Sequence, residues 1–196
     1  MKLHLLALLL VAIVATGCST TLKPRSLDTT TGRFPTDTKL AADGAKVVKP
    51  FSNKLKVLAY IKTDDSKVKQ YNEFFVESFR NMGFFTKVVT KQELESLVLE
   101  RKLTDKVSNI SDMIGLNQLQ KQMGPLLVVE PYVEWKGGYN YFAHLKAIDP
   151  ESGETVLLLE QTAFNFSGLD DPLFFPLMNG FLQWVKGETI STMPKP

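Results

Sequence analysis

Glu130 and Glu134 stand four residues apart in LLVVEPYVEW, and a pair of carboxylates sharing one face is the apparatus of glycoside hydrolysis. On a strand that spacing puts both on the same side. The same alternation sends Leu127, Val129, Val133 and Trp135 to the other side, which assigns the two glutamates to the solvated face of a sheet. His144, between Ala143 and Leu145, is the only histidine beyond His4. A Ser-His-Asp site would have to use it from mid-strand, and a single imidazole gives zinc one ligand where three or four are needed. Gly137-Gly138 suits a hairpin turn rather than a phosphate-binding loop, because no strand-to-helix glycine pattern surrounds it. The expectation is a protein with no catalytic, metal or cofactor site.

One reactive side chain remains, the thiol of Cys18 in ATGCST, the only cysteine in the chain. Met1-Lys2 supplies a positive start and Leu5 to Val14 an unbroken apolar run, too short to span a bilayer and of the length of a signal-peptide core. An ordinary cleaved signal, or an uncleaved anchor, would leave a free thiol with nothing to pair with. The close on Ala15-Thr16-Gly17 directly before Cys18 resembles the bacterial lipoprotein signal, although that pattern prefers Leu where Ala15 stands. The resemblance implies cleavage after Gly17, diacylglycerol on the thiol of Cys18 and an acyl chain such as palmitate on the new amino terminus. Each buried methylene contributes about 0.8 kcal/mol, so several chains hold a protein on a membrane permanently. Ser19 follows the cysteine; in the enterobacterial sorting pattern an Asp there means inner-membrane retention, so the resemblance implies the outer membrane, facing the periplasm.

Charge is nearly balanced, 23 Lys and Arg against 21 Asp and Glu in 196 residues, and no dense basic run asks for nucleic acid. With residues 1–17 as the signal, residues 18–50 are Thr-rich, carry Pro24, Pro35 and Pro50, and have few large apolar side chains. Such a segment has too little apolar surface to offset ordering and is expected to be a disordered periplasmic tether, holding the domain roughly 30 Å from the lipid.

The elements that position the candidate residues begin at Lys54. Alternation of Leu55, Val57, Ala59 and Ile61 with Lys54, Lys56 and Lys62 predicts a strand. Asp64-Asp65-Ser66 then caps a helix carrying Val68, Tyr71, Phe75, Phe79 and Met82. Phe84 to Val89 predicts a second strand; Thr90 and Glu93 form a capping box for the next helix, and Ser108 to Met123 suggests another. Three strands follow, Leu126 to Trp135, Tyr139 to Ile148 and Glu154 to Phe166, joined by short turns and hence antiparallel. A last helix opens near Asp170, Asp171 and Pro172, with Pro176 able to delay its start. The expected fold is α/β (α+β): a single two-layer domain over residues 51–188, a five-stranded mixed sheet with helices packed on one face in the order β-α-β-α-α-β-β-β-α, and a flexible tail over 189–196.

This order, the LLVVEPYVEW strand and the AHLKAIDPESGETVLLLEQ hairpin are similar, over residues 54–186, to a recurring periplasmic module. The module occurs in the amino-terminal domain of the Tol-Pal propeller protein, the curli secretion lipoprotein and lipoprotein activators of penicillin-binding proteins. If helices cover one sheet face, the other carries Tyr60, Tyr132, Phe142 and His144 among charged neighbours, a mixture suited to protein contact. The alternative is a third layer made by the tether folding back. Phe175 and Trp184 fall off the apolar stripe of the last helix and are candidates for partner or membrane contact, or else half-buried core. The resemblance implies an outer-membrane lipoprotein, not an enzyme, that binds another envelope protein as activator, scaffold or assembly factor. A ring-forming subunit of an envelope export system, with a homo-oligomer, and a peptidoglycan-acting hydrolase using Glu130 and Glu134 stand as alternatives.

Overall fold

The computed structural model describes residues 22–63, 69–165 and 168–195. Cys18, Gly17 and the whole signal lie outside them. Six strands form one sheet: β1 (Ala45–Val47), β2 (Leu58–Ile61), β3 (Lys87–Val89), β4 (Leu126–Gly137), β5 (Asn140–Asp149) and β6 (Glu154–Phe164), in the spatial order β1-β6-β5-β4-β2-β3. β2 runs parallel to both β3 and β4, whereas β4, β5 and β6 form the expected antiparallel meander, and β1 adds antiparallel to β6. Four helices accompany it: α1 (Lys69–Asn81), α2 (Lys91–Glu100), α3 (Met113–Met123) and α4 (Phe175–Val185).

Local sequence explains most of these limits. The Thr90 and Glu93 capping box is formed in full at the start of α2. α3 starts later than expected, at Met113, because the Asp112 carboxylate accepts from the Gly115 N–H and caps it there. Pro176 does delay the last helix: a π-helical turn over Asp170–Phe174 precedes α4. The first predicted strand is reduced to Leu58–Ile61 by a 3₁₀ turn at Asn53–Lys56.

Two expectations are corrected. The sheet has six strands rather than five, and its helices cover both faces rather than one. Alternate residues of the central strands feed two separate cores. Ala59, Ile61, Leu127 and Val129 pack with α1 and α4, while Leu58, Tyr60, Leu126 and Val128 pack with Leu94 and Val98 of α2 and Leu116 and Leu119 of α3. Strands buried on both faces read as unbroken apolar runs, as Leu58–Ile61 and residues 126–129 do.

A third correction concerns the expected tether. From Leu22 to Pro50 the chain is a strap packed on the domain, with Phe34 and Leu40 each 1 % exposed. The Phe34 ring stacks on Phe175 at 5.4 Å, and its N–H donates to Oδ1 of Asn179 on α4 at 2.8 Å. Leu40 meets the end of the chain, whose Met193 N–H donates to the Leu40 carbonyl, so the expected free tail is also docked. The strap passes over the outer side of α4 and finishes in β1. That is why α4 is buried almost all round: one side faces the sheet and the other the strap. Gly180 permits the crossing, because a Cβ there would stand 2.7 Å from Cδ1 of Leu40.

Candidate functional site

α2 and α3 cover their face of the sheet at β2, β3, the first residues of β4 and, at the end of β5, Ile148. Among the described residues, the remainder of that face, on β4, β5 and β6, has no helix over it. Cross-strand register fixes its content. Glu130 stands opposite Lys146, Tyr132 opposite His144, and Glu134 opposite Phe142; Lys146, His144 and Phe142 stand opposite Leu158, Glu160 and Thr162. The parallel pairing of β2 brings Lys62 to the same rim.

Three of the six expected surface residues therefore meet on one patch. The Tyr132 and His144 rings stack at 4.9 Å with 18° between planes, and Phe142 lies edge-on to His144 at 6.0 Å. The other three are inside the protein. Tyr60 is 1 % exposed beneath α2 and α3; Phe175 is 0 % exposed beneath Phe34; Trp184 is 3 % exposed and donates its indole N–H to the Lys49 carbonyl at 2.9 Å. The strap buries the last two and the second helical layer buries the first. Position on a helical wheel cannot show a cover that comes from a distant part of the chain.

The electrostatic centre of the patch is Glu130. Its carboxylate accepts from Nζ of Lys62 at 2.9 Å and pairs with Nζ of Lys146 at 2.6 Å, so two ammonium groups from neighbouring strands converge on one anion. Burial pulls the carboxyl toward protonation, but the hydrogen bonds and charges of Lys146 and Lys62 outweigh it and hold Glu130 below the ordinary carboxylate range. Glu134 pairs with Lys136 at 2.8 Å, and that ammonium group also lies 5.5 Å from the Phe142 ring centre. Among the described residues, no group of three His, Cys, Asp or Glu side chains is placed to hold a metal ion, and no helix is long and apolar enough to cross a membrane.

His144 is half-buried against Tyr132. Burial, reinforced by the Lys146 charge, holds its imidazole below the ordinary value of 6.5, against the opposing pull of Glu160 and Glu130. The native state thus resists a proton that the unfolded chain accepts. Stability is unaffected above about pH 6.5 and falls as the pH drops below it, until the depressed native value is passed. Denaturant unfolding at pH 7.5 and pH 5.5 should show that His144→Gln loses less stability across this window than the native chain does.

Sequence reasoning missed two parts of the site. Lys62 was not paired with Glu130, since its place depends on the parallel register of β2. The aromatic end of the β4–β5 hairpin was read as a turn alone, although Trp135 and Tyr139 flank Gly137-Gly138; both are 63 % exposed, and Phe164 beside them is 54 % exposed. The aromatic residues on either side of the glycine pair were the available signal.

No family model matches the chain, and no curated protein matches it. Solved structures similar to it include the LpoB C-terminal domain from Escherichia coli, at 10% identity and a TM-score of 0.37 over 56% of this chain and 84% of that one. Lipoprotein GNA1162 from Neisseria meningitidis matches at 12% identity and a TM-score of 0.38, over 57% and 82%. The PelC dodecamer from Paraburkholderia phytofirmans matches at 13% identity and a TM-score of 0.38, over 72% and 94%.

Proposed function

We propose that this protein is a lipid-anchored component of the bacterial envelope whose α/β domain binds another envelope protein through the uncovered part of the sheet on β4, β5 and β6. It acts there as an activator, scaffold or assembly factor, from the periplasmic face of the outer membrane. The observation that carries this reading is the patch itself. Stacked Tyr132 and His144, Phe142 and the Lys62–Glu130–Lys146 cluster share one face that no helix covers among the described residues, while the same face is covered at β2 and β3. Aromatic rings ringed by fixed charges suit a protein interface of moderate size.

A non-enzymatic role is part of the proposal. A glycosidase general acid needs a carboxyl held protonated near neutral pH. Glu130 is driven the other way by its two lysines.

A photo-reactive phenylalanine analogue at Tyr132, activated in living cells, tests the reading. It should form a covalent adduct with one envelope protein, and the same analogue at Leu99, exposed on the outer side of α2, should not. Equal adduct patterns at the two positions, or none at either, would overturn it.

A further inference from the structure

The strap alters where the domain sits. If Cys18 carries lipid, as the proposed function assumes, only three residues separate it from Leu22, and the four Cα-to-Cα steps span at most about 14 Å fully extended. Leu22 is already part of the fold: it packs against the core beneath α1 and lines a groove between α1 and the start of α2. That groove includes Thr63 and Thr90, which follow the last residues of β2 and β3, so it opens at the carboxyl end of the parallel strands. Downstream, the strap is fixed by Arg25, whose carbonyl accepts from Asn81 and whose guanidinium pairs with Asp170, and by the Phe34 stack. The anchor therefore emerges beside one end of the sheet on a short leash.

The β4–β5 hairpin projects past that same end. β4 is parallel to β2 and pairs with it only as far as Val129, so Glu130 to Gly137 continue beyond, roughly 26 Å at 3.3 Å per residue. Its tip carries Trp135, Tyr139 and, from β6, Phe164, all more than half exposed. The Tyr139 and Phe164 rings pack together at 5.5 Å, and the Trp135 indole N–H is already satisfied by the Gly138 carbonyl at 2.8 Å. Gly137 and Gly138 hold positive φ values of 98° and 57°, which fixes a tight turn between the aromatic residues. No carboxylate lies between Trp135 and Phe142, and Lys136 is the one charge there. Rings that bury an apolar body beside polar headgroups have the composition of a membrane-interface contact, and the Lys136 ammonium beside them is balanced by its pair with Glu134.

We propose that the tip of the β4–β5 hairpin, through Trp135, Tyr139 and Phe164, rests in the interface of the bilayer that holds the lipid of Cys18. The domain then has two contacts with the membrane and stands on it in a fixed orientation. Its open face on β4, β5 and β6 is presented to the side, to a partner at or near the membrane surface.

The chain has two tryptophans, and only Trp135 is exposed, since Trp184 is 3 % exposed. The test uses the full lipidated protein, reconstituted in vesicles of brominated phosphatidylcholine with phosphatidylglycerol and recovered by flotation. Trp135 fluorescence is the difference between the native chain and Trp135→Ser. The expected result is a blue-shifted Trp135 emission, lost in brominated vesicles and retained in unbrominated ones. Protein that floats with Trp135 emission unquenched, whether the ring is in water or covered by a second copy, overturns the proposal. Protein that does not float removes the anchor, and the proposal with it. Neither failure bears on the partner face, which is read separately at Tyr132.

Discussion

Phe34→Ala should lower the stability of the domain by about 3–5 kcal/mol, the usual cost of emptying a buried aromatic site. For a domain of this size that corresponds to a fall in Tm of roughly 6–20 °C. Phe34 is 1 % exposed, and its ring lies parallel to that of Phe175 with 7° between planes. Removing it opens a void over the first turn of α4, where Phe174 and Phe175 also pack with Phe74. A disordered tether would predict no change at all, which makes this substitution decisive for the strap. Thr30→Ala, a few residues away on the exposed surface, should stay within about 0.5 kcal/mol. Thermal unfolding of the two variants separates the cases.

Glu130→Gln comes second in expected size. The amide keeps the shape but leaves the ammonium groups of Lys62 and Lys146 facing one another across a partly buried site, with side-chain exposures of 30 and 35 % around a carboxylate that is 20 % exposed. Hydrogen bonds to a charged group contribute about 1.5–3 kcal/mol, and the loss should fall in that range. Its pH dependence has a definite sign. Because the native carboxyl titrates below its unfolded value of 4.5, its stabilisation is present above that pH and disappears as the pH falls through the native value. Glu130→Gln should therefore be less stable than the native chain at pH 7 and should lack this part of the acid-induced loss. Adding Lys62→Met to Glu130→Gln should recover part of the stability, since it removes one of the two unpaired charges. Denaturant unfolding at pH 7 and pH 3.5 provides both comparisons.

The legible parts of the fold were those set by near neighbours in sequence. The meander over β4, β5 and β6 followed from period-two alternation and short turns, and α2 followed from Thr90 and Glu93. The strap was not legible for a physical reason. Leu22, Leu27, Phe34 and Leu40 are spaced without a helical or strand period, and each packs, Phe34 and Leu40 fully buried, into a site made elsewhere in the chain. Composition measures how much apolar surface a segment has, not whether a receiving groove exists. The second helical layer did leave a trace, the uninterrupted apolar run of Leu58–Ile61, which was instead assigned to alternation with flanking lysines. Of the candidate surface, Tyr132, Phe142 and His144 were placed correctly by strand alternation alone. Tyr60, Phe175 and Trp184 were lost to covers that alternation does not describe.

The strap also changes how the proposed lipid anchor at Cys18 would work. A tether of about 30 Å would carry the domain to a distant target. If Cys18 carries lipid, as proposed, a leash of three residues instead confines the domain to the membrane surface, and the effective concentration that anchoring provides is then highest for partners held in the same layer. The open face has to be met there.

The accessibility of that face in the cell is the most direct test of the account. If Cys18 carries lipid, as proposed, a cysteine introduced at Glu160, opposite His144 on the patch, is the sole free thiol, and one introduced at Leu99 reports the outer side of α2. Both variants are treated with a hydrophilic maleimide in intact envelopes and again after purification. Glu160→Cys should be protected in the envelope and reactive when purified, while Leu99→Cys reacts in both. If Glu160→Cys reacts in the envelope as readily as Leu99→Cys, nothing covers the open face, and the protein does not act through it.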